Sequence, residues 1–183
     1  MSRATLDEIA ERAGVSKGTI YLYFANKEEL FRQTIRNALT SAVVPVERSQ
    51  IGSTSKQLGD TIATQWWLLT REPTVTAIRL LTSEQWQYPD LAELYSTDVI
   101  TRFSDGVATI LEAGARTGEF RSLDPRAAAR MLAALVVQSA GWRASGGGPF
   151  ADQGSEDVLR ELIEFYFQAV SPLDSAFPQA DGA

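Results

Sequence analysis

Apolar residues recur at steps of three and four along almost the whole chain, and this spacing decides the fold class before any other feature. From Leu30 the series runs Phe31, Ile35, Ala38, Ala42 and Val46. A second runs Leu58, Ile62, Trp66 and Leu69, and a third Leu91, Tyr95, Val99, Phe103, Val107, Ile110 and Gly114. Each series marks one stripe of a helix that must be buried. No alternating run flanks a hairpin dipeptide. Asp105-Gly106 is the one tempting turn, but it lies inside a helical stripe, so Gly106 reads as a tolerated helix glycine or mild kink. The predicted class is all-α.

Turn formers divide the chain into about eight helices. Gly14, Ala25-Asn26, Gly52 to Ser55, Pro73, Tyr88-Pro89, Gly118 through Pro125 and Ser145 to Pro149 mark the breaks. Beyond Val170 the periodicity ends, and 172–183 is expected to be a flexible tail.

What the chain lacks narrows its chemistry. It has 183 residues without Cys or His. This removes disulfides, thiol nucleophiles, sulfur–nitrogen zinc sites and an imidazole base. Neither a Gly-x-Ser-x-Gly run nor a phosphate-binding glycine loop occurs. The expectation is a non-enzyme with no catalytic residues, no metal and no cofactor. Residues 1–30 carry charge throughout and have no apolar signal core. The most apolar window, Ala127 to Trp142, is interrupted by Arg130 and Gln138 and is too short to span a bilayer. A cytoplasmic protein with no membrane partner is expected.

Residues 5–30 carry the functional signal. Three helix starts are packed into them: Thr5 with Glu8 makes a capping box, Ser16 can cap a second helix, and Asn26 with Glu29 repeats the spacing. The first helix, Leu6 to Ala13, presents Leu6, Ile9, Ala10 and Ala13 on one face. Gly14 allows a tight turn, and Val15 is expected to plug the gap between helices. The second helix, Lys17 to Tyr23, turns Ile20 and Phe24 inward. Taken alone, such a turn also suits an ordinary αα-corner. As a helix-turn-helix, the second helix enters the DNA major groove. Lys17 and Thr19 then sit on its leading turn, and Gly18 lets backbone approach the duplex. Lys27 opens the third helix, whose free N–H groups suit a phosphate oxygen. Tyr21 and Tyr23 add hydroxyls at phosphate height, with packing the alternative for Tyr21.

Charge is distributed to match. The whole chain carries −6, yet residues 1–40 carry +1 and the remainder −7. Two of the three lysines, Lys17 and Lys27, fall in the first part. An acidic protein of this kind does not coat nucleic acid over its whole surface, but a local basic site remains open.

The run Ile9-Ala10-x-x-Ala13-Gly14-Val15-Ser16-Lys17-Gly18-Thr19-Ile20-Tyr21-x-Tyr23-Phe24-x-Asn26-Lys27-Glu28-x-Leu30 resembles the DNA-binding segment of TetR/AcrR-type transcriptional regulators. The resemblance implies that Ser16, Lys17, Gly18, Thr19 and Tyr21 face DNA, while Thr5, Tyr23 and Lys27 hold phosphates. It implies a head over 1–44 and a helical effector-binding and dimerisation domain over 45–171. Members of the family carry a further helix before the position of Thr5, where this sequence has Met1-Ser2-Arg3-Ala4. The head is therefore expected to be N-terminally short. Either the natural chain begins upstream, or the protein is a helical small-molecule-binding or partner protein that no longer binds DNA.

The larger part is similar to the family's sensor region at Pro89 to Tyr95 and at Gly118 to Pro125. Residues 126–144 are apolar almost all round, and 156–170 show a broad apolar face. Central burial in one protomer accounts for this, and so does a four-helix interface between two copies, as in the family. The expected interface residues are Met131, Leu135, Trp142, Leu159, Leu162, Ile163 and Tyr166. Trp67, Trp86, Tyr95, Phe103 and Trp142 are candidates for lining an effector pocket, with core packing the alternative for each. Trp66 shares its stripe with Ile62 and Leu69, and Trp67 lies about 100° round the helix. The aromatic share suggests a lipophilic or aromatic effector. The expected partners are a double-stranded operator, that effector and a second copy, in a ligand-released repressor.

Overall fold

The computed structural model describes residues 4–42, 52–84, 87–144, 146 and 148–172. Helices supply all of its regular structure among these residues: α1 (Leu6–Arg12), α2 (Lys17–Tyr23), α3 (Lys27–Thr40), α4 (Thr54–Thr70), α5 (Thr74–Glu84), α6 (Pro89–Leu94), a π-helical stretch (Tyr95–Thr101), α7 (Arg102–Thr117), α8 (Pro125–Ala144) and α9 (Ser155–Val170). Gly106 lies inside α7 as a helix glycine. The expected boundary at 44/45, Trp86, and the tail beyond residue 172 lie outside the described residues.

Local chemistry starts and stops these helices where the sequence places it. Asp124 Oδ1 accepts from the backbone N–H groups of Arg126 and Ala127 at 3.0 and 3.1 Å, and Pro125 follows it as the first residue of α8. Gly118 ends α7 at φ +78°, a conformation that costs a residue with a Cβ. The start of α4 is held from outside its own sequence. Glu119 accepts from the N–H groups of Thr54 and Ser55 at 3.1 and 2.9 Å. These bonds, that from Ser55 foremost, draw the Glu119 carboxyl down to a pKa of about 2.

Two apolar cores result among the described residues. The small one holds Leu6, Ala10 and Ile20, with Ile9, Phe24 and Leu30 against it. The large one runs from α3 to α9 and includes Leu39, Leu58, Ile62, Trp66, Leu111, Leu132 and Val136. Burying each such side chain contributes about 1.5–3 kcal/mol. Helix α3 belongs to both cores, through Leu30 at one end and Ile35, Ala38 and Leu39 further along. Gly114 lets the return from α7 fold back closely, since a Cβ there would collide with the Phe120 ring and lie 2.8 Å from Thr54 Oγ1. Trp66 is fully buried and donates its indole N–H to Ser155 Oγ at 3.0 Å, whereas its neighbour Trp67 is 43% exposed. No described helix is long and apolar enough to cross a membrane.

The series Leu91, Tyr95, Val99, Phe103, Val107 advances by four at every step, whereas an α-helix repeats every 3.6 residues. Each step of four drifts by about 40°, so four steps displace the stripe by about 160°. Leu91, Val99, Phe103 and Val107 are nonetheless all buried. The wider π stretch at Tyr95–Thr101 absorbs the drift and keeps them on the core side.

Candidate nucleic-acid interface

Helix α2 is anchored by one residue. Ile20 is 6% exposed and packs with Leu6 and Ala10, while Ser16, Lys17, Gly18, Thr19, Tyr21, Leu22 and Tyr23 all face outward. The turn before it is tight because Gly14 adopts φ +69° and the Val15 N–H returns to Ala10 O at 3.0 Å. Ser16 Oγ accepts from the Thr19 N–H at 3.0 Å and lies 2.8 Å from Thr19 Oγ1, which fixes the first turn and spaces two hydroxyls along its edge. The three N-caps form as the sequence implies. Thr5 and Glu8 make a reciprocal pair at 3.2 and 2.7 Å, and Asn26 Oδ1 accepts from the Glu29 N–H at 2.9 Å. Glu29 instead reaches the N–H of Ala25, one residue before the cap, at 2.7 Å.

The structure thus brings Ser16, Lys17, Gly18, Thr19, Tyr21 and Tyr23 onto one exposed helix. Thr5 stands at the start of α1, its hydroxyl engaged in capping. Lys27 is half-buried at the first position of α3. Val15 departs from its expected place. It is 41% exposed and lines an open groove with Asp7, Glu8, Glu11 and Lys17 instead of plugging the helix pair. The reason is geometric: the turn bonds back to Ala10 through its backbone and leaves the Val15 side chain outside.

Two features of the head were not foreseeable from helix periodicity. Lys17 Nζ donates to Asp7 Oδ2 at 2.6 Å across ten residues, and this bond keeps the ammonium above its ordinary pKa. Leu22, the unspecified position between the two tyrosines, is 79% exposed. A third feature ties head to body. Arg32 Nη1 on α3 donates to Asp90 Oδ2 at 2.5 Å, its Cζ lies 4.9 Å from the Tyr88 ring centroid, and the Phe31 and Tyr88 rings are 4.9 Å apart. Tyr88 is buried in this junction.

The body residues divide. Tyr95 and Phe103 lie inside the bundle at the π stretch and the start of α7, Phe103 fully buried and Tyr95 with a buried hydroxyl lacking a hydrogen-bond partner among the described residues. Burial alone raises the Tyr95 pKa. Trp67 and Trp142 sit at the surface, and Trp86 is outside the described residues. Of the expected interface residues, Met131, Leu135 and Trp142 form an exposed edge of α8, with Met131 64% exposed. Ile163 is half-buried. Leu159, Leu162 and Tyr166 turn into the protomer's own core, and the Tyr166 hydroxyl donates to Ala128 O at 3.0 Å. Little of their surface, at most 9% for Leu159, remains outside that core. Phe165, absent from the expected set, is the exposed aromatic of α9.

Residues 1–34 match the family of bacterial regulatory proteins, tetR family, and residues 56–170 match the C-terminal domain of AefR-like transcriptional repressors. The chain is 28% identical over 138 residues to the HTH-type transcriptional regulator YfiR of Bacillus subtilis (strain 168), covering 67% of this chain and 61% of that relative's length. Among solved structures, the TetR family regulator PfmR from Thermus thermophilus superposes with a TM-score of 0.68 at 20% identity, over 90% of this chain and 88% of that one. The transcriptional regulator FadR from Bacillus subtilis, in complex with stearoyl-CoA, gives 0.64 at 20% identity, over 90% and 88%.

Proposed function

The chain belongs to the tetR family of bacterial regulatory proteins, and from that premise we propose that it is a ligand-responsive transcriptional repressor, binding a two-fold-symmetric operator as a homodimer. The observation that carries this reading is the division of labour on α2. Ile20 alone is committed to the fold, and every other residue of the helix is exposed. A seven-residue helix that spends one side chain on its own core presents the rest to something else. Lysine, two tyrosines and hydroxyl-bearing Ser16 and Thr19 suit phosphate and base edges. The head, 1–44, turns Ser16, Lys17, Gly18, Thr19 and Tyr21 toward the duplex, with Lys17 meeting a phosphate at the edge of the groove and Thr5, Tyr23 and Lys27 at further phosphates.

The body, 45–171, supplies the rest. The exposed edge of α8, Met131, Leu135 and Trp142, joined by Ile163 and Phe165 of α9, supports pairing with a second copy. Tyr95 and Phe103 are the pocket residues the geometry favours. An unpartnered phenol beside apolar core suits a largely lipophilic or aromatic effector with one polar group. Stearoyl-CoA, the ligand of the similar FadR structure, is of the lipophilic class. The effector acts by favouring a conformation in which the two heads no longer match the half-site spacing, transmitted through the Arg32–Asp90–Tyr88 junction.

Selection of the full chain against randomised DNA duplexes tests the reading. It predicts enrichment of two inverted half-sites about one helical turn, or a multiple, apart. Absence of any enrichment favours instead a helical ligand-binding or partner protein without its own DNA contact.

A further inference from the structure

The side chain on α2 that the reading above leaves unused is Leu22. It is the most exposed of the large apolar side chains described, at 79%. On a 3.6-residue helix Gly18 and Leu22 lie within about 40° of each other and opposite the buried Ile20. Gly18 has no reason of its own to be glycine. Its φ is not positive, and a Cβ there would meet nothing nearer than Ser16 Oγ at 3.7 Å. Alanine would serve the helix better. The bare strip at Gly18 therefore has its use outside the protomer, in letting another surface come close. Leu22 is the side chain that meets that surface next along the helix. Thr19 and Tyr21 flank the strip, and α2 carries no acidic residue.

Resting on the DNA-binding reading, we infer that Leu22 is a specificity-determining residue that packs on the C5-methyl group of a thymine in each half-site. Leucine neither donates nor accepts a hydrogen bond. Placed over a guanine O6 or an adenine N6, it would strip water from a polar edge and return nothing. The thymine methyl is the apolar feature of the major groove, and contact with it distinguishes A·T from T·A and from both G·C orientations. Lys17 holds phosphate whatever the sequence, whereas Leu22 reads one base.

The test uses the full chain and the duplex enriched by selection. Each thymine is replaced in turn by deoxyuridine, which lacks only the methyl. For the wild type, one position per half-site should lose roughly four-fold in affinity, the value of one buried methyl. Leu22→Ala should bind the unmodified duplex correspondingly less tightly and show no further loss at that position. At this exposure Leu22→Ala should unfold at the wild-type temperature, which separates contact from folding. Insensitivity of the wild type to every replacement, or the same sensitivity in Leu22→Ala, overturns the inference while leaving DNA binding intact. A change in sedimentation of Leu22→Ala without DNA also overturns it, because Leu22 would then lie in a protein contact. Failure to enrich any duplex removes the DNA-binding reading and this inference with it.

Discussion

At the residue scale, two carboxylates do work that their neighbours in sequence do not reveal. Asp7 holds Lys17 at 2.6 Å, so the cation proposed to meet phosphate begins in a competing, exposed ion pair. Asp7→Asn releases it and should tighten binding to DNA, with the gain largest at low salt and shrinking as salt screens it. Fluorescence anisotropy over a salt series checks this. Glu119 is held ionised by the free N–H groups at the start of α4. Its folded pKa, about 2, lies below the ordinary 4.5, so its contribution is complete above pH 4.5 and fades as pH falls toward 2. Thermal unfolding of Glu119→Gln should therefore show a deficit against the wild type at pH 7 that narrows below pH 4.5. A deficit independent of pH would place its origin elsewhere. Neither contact was legible from sequence, because Asp7 and Lys17 stand ten residues apart and Glu119 and Ser55 stand 64 apart. The caps at Thr5, Ser16 and Asn26 were legible, since their partners lie three residues away.

At the element scale, periodicity located helices but could not separate helical forms or decide which face meets which partner. The four-by-four steps from Leu91 to Val107 held a signal for the π stretch, because a true α-helix would carry that stripe off the core. Deleting one residue should let the stretch relax to α while the flanking faces stay in place. Removal of Thr97, which is exposed there, should lower the melting temperature by no more than a few degrees. Removal of Thr109 from the regular α7 turns Leu111 and Gly114 about 100° relative to the core and should abolish cooperative unfolding. Equal losses in both deletions would contradict this account of the stretch. Helices α8 and α9 make the complementary point. Their apolar stripes looked alike as sequence, yet Leu159, Leu162 and Tyr166 are consumed by the protomer, while Met131, Leu135 and Phe165 are not. Composition records that a face must be buried, not against what. Val15 fails for a related reason, because a turn valine is placed by backbone geometry and not by a helical stripe.

For the whole molecule, the small core of the head and the large core of the body meet along α3, which takes part in both. Asp90 of the body's α6 is bonded to Arg32 in the second turn of α3, so a reorientation of α6 should be felt within the head. In the proposed dimer, pairing through α8 would set the distance between the two heads. Leu135→Glu, combined with Met131→Glu, should convert the dimer to a folded monomer by sedimentation, with unchanged helical content by circular dichroism. Operator binding should then weaken by well over ten-fold, because each head loses the benefit of its neighbour's attachment. Unaltered sedimentation would move the interface away from this edge.

The outer face of α2 is proposed to meet the phosphates and bases of DNA, and the other roles of the head follow from that contact. The salt dependence of binding to the selected duplex measures this directly for the wild type and for Lys17→Ala. A dimer losing one phosphate contact per head should show a slope of log affinity against log salt shallower by about two. An unchanged slope in Lys17→Ala, at equal or unequal affinity, would mean that Lys17 does not meet phosphate and that α2 does not bind DNA in this way.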